Sequence, residues 1–534
     1  MENTWFKKLT MALIWVIIIA FAILLIKRFT QANKNEINLD QTKDNWAKMM
    51  LILNSVDKDY VDAIDYEKVT EELLPDIMSK LDPHSVYLPP QELKDAEESL
   101  QGGFDGIGIQ FTVPNDTAVV SNVIVGGPSE KAGLLSGDRI LMVNDVSIAG
   151  VKMPQDSMVL LMKGRKGTKV DVSIKRNGED KPIPFTIIRD KIPVKSVDVA
   201  FMINDTTGYI KLSKFAKTSY SEFLESSLKL REKGMKKLIF DLRDNTGGYL
   251  DQAMLLSNEF LQKGDLVVYM EGKNRPRQDL FADGKGGCRD IELAVLINEG
   301  SASSSEIFAG AMQDNDRATI YGLRSFGKGL VQEPIYFSDG SGIRLTVARF
   351  YTPTGRSIQK PYSPDYEYDI IHRYEHGEMT NVDSIRVNDS LKYITPKGKI
   401  VYGGGGIIPD VFVPLDTVGV TDFMIKCNRQ GLQNKFANEI SDEYRVQMRN
   451  IKDMASLNKF LDGLSLEKRF LAYTKDKGVV PEGNQWQISG NIIMIQVRAL
   501  IGRYTPMDDN AFYPIYLQTD NVIKKVLENK PIGR

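Results

Sequence analysis

A serine within Asn298-Glu299-Gly300-Ser301-Ala302-Ser303-Ser304-Ser305-Glu306 and a lysine within Phe326-Gly327-Lys328-Gly329-Leu330-Val331-Gln332 are the residues of this chain best suited to covalent chemistry. A serine hydroxyl is a weak nucleophile until a base takes its proton, and histidine is the usual base. The chain has only three histidines. His372 and His376 lie in a charged, tyrosine-rich stretch that reads as a surface excursion, and His84 follows the proline turn of Leu81-Asp82-Pro83. A lysine whose pKa is lowered by burial can serve instead, and Lys328, flanked by glycines with Phe326 and Leu330 as apolar walls, is the candidate. Each segment also has a plain structural reading. Ser303-Ser304-Ser305-Glu306 fits the S-x-x-E capping box of a helix start, and Gly327-Lys328-Gly329 fits a turn.

The elements around these residues favour chemistry. Leu293 to Ile297 reads as a buried strand, Ser301 to Ser305 as a turn and Ile307 to Gln313 as a helix, so Ser303 sits where a strand gives way to a helix. Amides of a first helical turn have no intrahelical acceptor and the helix dipole favours negative charge, which makes the Ser304 amide a candidate donor to an oxyanion. The same unit occurs earlier: Lys237 to Asp241 as strand, Asp244-Asn245-Thr246-Gly247-Gly248 as turn, Tyr249 to Leu261 as helix. Gly247 or Gly248 is the candidate for a second donor, since glycine permits close backbone approach. Two such units predict an α/β sheet with its functional loops at strand ends.

Composition narrows the function class. The 534 residues carry 68 basic and 70 acidic side chains, a formal charge of −2, which gives no attraction to nucleic acid. Two cysteines, Cys288 and Cys427, have neither metal-ligand spacing nor the density of a disulfide framework. Leu9 to Ile26 is an 18-residue uncharged stretch bracketed by Lys7-Lys8 and Lys27-Arg28, long enough for a bilayer core of about 30 Å and without a small-residue cleavage site behind it. It reads as an uncleaved anchor to the membrane. The flanking basic residues nearly balance, so charge alone does not orient it. The expected organisation is a membrane anchor over 1–35, a helical region over 36–100, a mostly β module over 101–191, an α/β core over 192–416 and a helical extension over 417–534. Within the β module, alternation places strands at Ala118 to Val123, Arg139 to Val143, Lys169 to Ile174 and Pro184 to Ile188, with a helix from Pro154 through Leu161.

With these segments in order, the chain resembles the carboxyl-terminal processing proteases, or tail-specific proteases, from about His84 to Val413. Members carry a serine in G-S-A-S-x-S-E and a lysine in F-G-K-G 25 residues later; Lys328 follows Ser303 by 25 residues, which selects Ser303 over Ser301, Ser304 and Ser305. The glutamine that orients the lysine in that family matches Gln332, and the D-L-R-x-N-x-G-G segment matches Asp241 to Gly248, with Thr246 where proline is frequent. The β module resembles a PDZ domain, whose carboxylate-binding loop matches Gly106-Ile107-Gly108-Ile109. Leu81 to Leu88 is also a family segment, which makes His84 structural. Tyr362 to Lys399 looks like an insertion before the G-G-G-I-x-P-D segment, Gly404 to Asp410, and the extension beyond Val418 has no counterpart in the short members.

The resemblance implies a crotonase-like core and a serine endopeptidase with a Ser303/Lys328 dyad. It further implies capture of protein or peptide substrates by their C-terminal ends in the PDZ groove, and no metal or cofactor. The expected location is a single-pass membrane anchor with the catalytic body on the extracytoplasmic side. Self-association through the 37–100 region and the extension is a further expectation. The competing reading is a catalytically silent peptide-binding adaptor; a non-proteolytic acyl-transfer enzyme would leave the PDZ module unexplained.

Overall fold

The computed structural model describes residues 43–528 apart from Val125. The Leu9 to Ile26 stretch lies outside the described residues, and among those described no helix is long and apolar enough to cross a membrane. The chain divides into two units, Met1–Asp76 and Ile77–Arg534. In the first, Lys43–Asp59 is the helix that the spacing of Met49, Met50, Ile52 and Leu53 predicts, and those four side chains are exposed.

The second unit is built around a six-stranded sheet: β1 (Val197–Met202), β2 (Thr207–Leu212), β3 (Lys237–Asp241), β4 (Glu292–Ile297), β5 (Thr319–Gly322) and β6 (Val411–Phe412), neighbours in that order. β1 and β2 are antiparallel and every later pair is parallel. β3 and β4 are near-continuous apolar runs because both faces of the sheet are covered. On one face Leu238, Phe240, Val295 and Ile297 pack against the helices Ser219–Glu232, Leu250–Asn258 and Ser304–Asp314, through residues such as Phe223, Leu256 and Phe308. Alternate residues, Tyr209, Ile239, Ala294 and Leu296, point the other way and are covered by Leu517, Val522, Ile523 and Val526. The end of the chain therefore supplies a layer of the core.

Because β3 and β4 run parallel with Asp241 opposite Leu296, the turns that follow them emerge side by side. One is Asp244 to Gly248; the other is Asn298 to Ser303. A second sheet carries Gln332, and the loop with Lys328 leads into it. Gly342–Tyr351 pairs with Val86–Leu88, Leu266–Gly272 and Leu330–Tyr336, and Arg275–Phe281 extends the edge. Val86–Leu88 departs from the helical character expected for 36–100.

The β module has an antiparallel sheet ordered Ile109–Thr112, Ala118–Val123, Arg139–Val143, Lys169–Lys175 and Ile183–Ile188, with Ile109–Thr112 at the edge and Met158 and Met162 of the Gln155–Met162 helix in the module's core. Its two connections to the core, Gly103–Gly106 and Asp190–Pro193, pair with each other as an antiparallel ribbon. Helices from Asp422–Gln430 onward form a domain with its own core of Phe423, Phe436, Phe470, Ile493 and Val497. That domain touches the β module through the ion pairs Arg139–Asp442 and Arg445–Asp138 and through Asn122 Nδ2, which donates to Asp508 at 2.7 Å. The fold is thus an α/β core with an inserted β module and helical terminal regions, as the sequence predicts.

Candidate active site

The four serines after β4 are not equivalent. A hydroxyl has one proton to donate, and in three of them it is committed to a backbone carbonyl: Ser301 to Leu242 O (2.8 Å), Ser304 to Gly248 O (2.9 Å) and Ser305 to Asn245 O (2.8 Å). These bonds stitch the serine turn onto the Asp244-to-Gly248 turn. Ser303 lies outside this stitching, half-buried, at the N-cap of the Ser304–Asp314 helix with φ +54° and ψ −112°. Positive φ in a residue with a Cβ is strained, at a cost of about 1–3 kcal/mol, and persists only where the surroundings impose it. Asn245 Nδ2 donates to Leu212 O, its carbonyl receives the Ala302 amide, and Gly247 presses against Ser303 so closely that an added Cβ would lie 2.9 Å from the Ser303 Cβ.

Of the expected oxyanion donors, Ser304 is the first helical residue, so its amide has no intrahelical acceptor. Gly247 does not fit that role. Its N–H donates to Asn245 Oδ1 at 2.9 Å, and its place against Ser303 is one of close packing. Gly248, at φ +145° with a virtual Cβ 2.2 Å from Phe215 O, is the turn glycine that remains.

Glu306 is the residue that sequence reasoning undervalued. It occupies the third helical position of the capping box and its carboxylate is fully buried. Oε2 accepts the amides of both Ser303 (2.8 Å) and Lys328 (2.9 Å), while Oε1 accepts the Gly327 amide (2.7 Å) and the Ser325 hydroxyl (2.6 Å). One carboxylate thus holds the serine turn and the lysine loop together. Burial pushes its carboxyl up against the opposing pull of these four donors. The signal in the sequence was the S-x-x-E spacing itself, which shows the cap but not the second loop.

Lys328 Nζ donates to Gln332 Oε1 at 2.9 Å, and Gln332 Nε2 donates to the His84 carbonyl at 2.6 Å. Burial lowers the Lys328 pKa from the ordinary lysine range and the Arg344 cation lowers it further, with Glu306 and Asp82 opposing. His84 is held down to about 4, chiefly by burial and next by Lys328. It is therefore neutral at ordinary pH and acts through its carbonyl, in keeping with a structural role. His372 and His376 are on the surface. Phe326 and Leu330 flank Lys328 in the chain as expected, Leu330 buried and Phe326 half-buried.

Residues 206–368 match the model of peptidase family S41, residues 106–186 that of the PDZ domain, and residues 423–505 that of a family of unknown function. A probable CtpA-like serine protease of Staphylococcus aureus is 35% identical over 367 residues, which is 68% of this chain and 70% of that protein. The chain belongs to the CtpA-like serine proteases of family S41. It is a serine-type carboxyl-terminal processing peptidase. A probable CtpA-like serine protease of Staphylococcus epidermidis is also 35% identical, over 62% of this chain and 67% of that one. Among solved structures, the photosystem II D1 C-terminal processing protease is similar at 25% identity, covering 71% of this chain and 90% of its own, with a TM-score of 0.38.

In this CtpA-like protease the β module is the PDZ domain, a peptide-binding fold. Its Gly106-Ile107-Gly108-Ile109 loop leads directly into the edge strand Ile109–Thr112. The loop's carbonyls are occupied: Ile107 O receives the Ser129 amide and Gly108 O the Ile124 amide. Gly108 adopts φ +77°, and a Cβ there would lie 2.9 Å from Ile192.

Proposed function

We propose that this protease is a membrane-anchored endopeptidase that takes substrate chains by their C-terminal ends in the PDZ groove and cleaves them with Ser303 as nucleophile and Lys328 as general base. The single observation that carries the reading is the partition of the hydroxyls: Ser301, Ser304 and Ser305 are bonded to carbonyls, while Ser303 is strained into an N-cap whose amide shares the Glu306 carboxylate with the lysine loop. Neutral Lys328 takes the Ser303 proton as Oγ attacks the scissile carbonyl. The amides of Ser304 and Gly248 face the oxyanion, the C–N bond breaks as the lysine returns its proton to the leaving amine, and water, activated by the same lysine, releases the acyl group. Gln332 holds the amine in place through its bond to Lys328.

Substrate capture follows from the free edge of Ile109–Thr112, which can add a peptide strand, and from the adjoining loop, which offers backbone amides to a terminal carboxylate. Leu9 to Ile26 supplies the anchor, and the body faces the extracytoplasmic side. The experiment uses full-length protein in detergent with an unfolded protein substrate bearing either a free or an amidated C-terminus. Wild type cleaves the free-ended substrate faster; Ser303→Ala cleaves neither, a loss of roughly 10⁴ or more. Retained cleavage by Ser303→Ala would overturn the nucleophile, and equal rates on both substrates would overturn C-terminal capture. Release of the chain from membranes by salt alone would overturn the anchor.

A further inference from the structure

The match to the peptidase model ends at residue 368, and the chain then continues through a stretch that reads as an insertion. Tyr366–Tyr368 forms a helical turn, Asp369–Glu375 a short helix, and Lys392–Ile394 pairs with Ile400–Tyr402. His372 and His376 face solvent, as a surface excursion should. Other residues of the same stretch do not.

Arg373 is 4% exposed. Its Nη1 donates to the Ser325 carbonyl at 2.8 Å and its Nη2 to the Phe326 carbonyl at 3.2 Å, and Asp369 balances its charge at 2.8 Å. Glu378, also buried, accepts Nε and Nη2 of Arg324, each at 2.5 Å, immediately before the same loop. The Tyr366 hydroxyl lies 2.6 Å from His84 Nε2, and it is the His84 carbonyl that receives Gln332. Lys360 Nζ sits 4.1 Å from the ring centroids of both Phe326 and Tyr366. The lysine loop is thus gripped from two sides: Glu306 takes the amides of Gly327 and Lys328, and Arg373 takes the carbonyls of Ser325 and Phe326. Burying a guanidinium is costly unless its donors are used; here Nη1 and Nη2 are used and Nε is buried without a partner. A segment that only filled space would not place one behind this loop.

We propose that Arg373 is a positioning residue for the general base, fixing the Ser325-to-Lys328 loop that carries the Lys328 amine for its reaction with Ser303, with Glu378 and Tyr366 as supporting contacts. This rests on the assignment of Lys328 as base. The charged groups facing Lys328 are Arg344 from Gly342–Tyr351, Glu306 from the Ser304–Asp314 helix, and Asp82 from the turn before Val86–Leu88, where neutral His84 also lies. Those facing Arg373 are Arg324, Asp369, Glu378, Glu306 and Lys360. Loosening the loop would admit water to the lysine and return it towards its ordinary basicity.

The test measures peptide hydrolysis against pH, with thermal midpoints, for full-length wild type, Arg373→Ala, Arg373→Lys and Lys328→Ala. Arg373→Ala is expected to lower kcat roughly 10- to 100-fold with KM within about twofold. It is also expected to move the rising limb of activity to higher pH by about half a unit or more, with part of both effects restored in Arg373→Lys. A folded Arg373→Ala with wild-type kcat, or with reduced kcat but an unmoved limb, overturns the proposal. Should Arg373→Ala not fold, Glu378→Gln, which frees Arg324, carries the same expectation in weaker form, and wild-type behaviour there overturns it. Activity in Lys328→Ala is a different result: it would remove the base assignment beneath the proposal.

Discussion

Two residues in this site hold states that cost energy on their own, and each cost makes a measurable prediction. Lys328 is held below ordinary lysine basicity first by burial and then by Arg344. With the neutral amine as the proposed base, hydrolysis should rise with pH through that lowered pKa. Removing the neighbouring cation in Arg344→Gln takes away a group that disfavours protonation, so the limb should move to higher pH; a limb that moved down or stayed would contradict the assignment. No limb from His84 is expected near neutrality, since it titrates at about 4. Lys328→Arg should be nearly inactive, as a guanidinium stays protonated. Ser303 stores the other cost in its positive φ. Glycine adopts that backbone freely whereas alanine does not, so both Ser303→Gly and Ser303→Ala should be inactive, yet the glycine variant should be the more stable by about 1 kcal/mol. Scanning calorimetry of the two folded variants decides it.

At the level of elements, the Glu306 carboxylate joins a helix start to the loop that runs from β5 into the second sheet, and its two oxygens each accept two donors. Glu306→Gln keeps the shape but turns an NH₂ towards two donors, and should cost about 3 kcal/mol or more in stability along with most of the activity. Near-wild-type melting of this variant would show that the bracket is not needed. Local pattern foretold the elements that local pattern controls. Ala118–Val123, Arg139–Val143 and Lys237–Asp241 end where the alternation or the apolar run ends, and the Gln155–Met162 helix begins after Pro154. Pairings across hundreds of residues left no such mark. Val86–Leu88 sits among helical spacings because its partner, Gly342–Tyr351, lies far along the chain. Glu306 announced a cap and not a second loop, and Gly247 looked like an anion donor because its amide's partner, Asn245 Oδ1, is a side-chain matter that backbone spacing does not reveal. Serine selection by spacing alone rested on resemblance; the committed hydroxyls of its neighbours give it a physical reason.

Across the whole molecule, the helical extension is tied to both other parts. It reaches the PDZ domain through Asp442 and Asp508, and the core through Arg243, whose guanidinium bonds both Asp241 beneath the Asp244-to-Gly248 turn and Asp520. Leu517, Val522, Ile523 and Val526 cover the second face of the central sheet, each worth about 1.5–3 kcal/mol when buried. A chain ending at residue 416 should therefore be insoluble or protease-sensitive rather than a minimal active core, and Val526→Asp should lower the melting midpoint by several degrees; a truncated protein with a cooperative transition and retained hydrolysis would refute this. The paired ribbon of Gly103–Gly106 and Asp190–Pro193 has the opposite implication for the PDZ domain. Its entry and exit strands are neighbours in one ladder, about 5 Å apart, so the chain leaves the core and returns to nearly the same spot. The module is built like a cassette on a socket: residues 107–189 could be exchanged for another domain whose ends lie side by side, or closed off with a tight hairpin, without rerouting the polypeptide that carries Ser303 and Lys328. Recognition and cleavage can then be varied one at a time, with Asp442 and Asp508 as the surface groups to redesign where the exchanged piece would meet the helical extension.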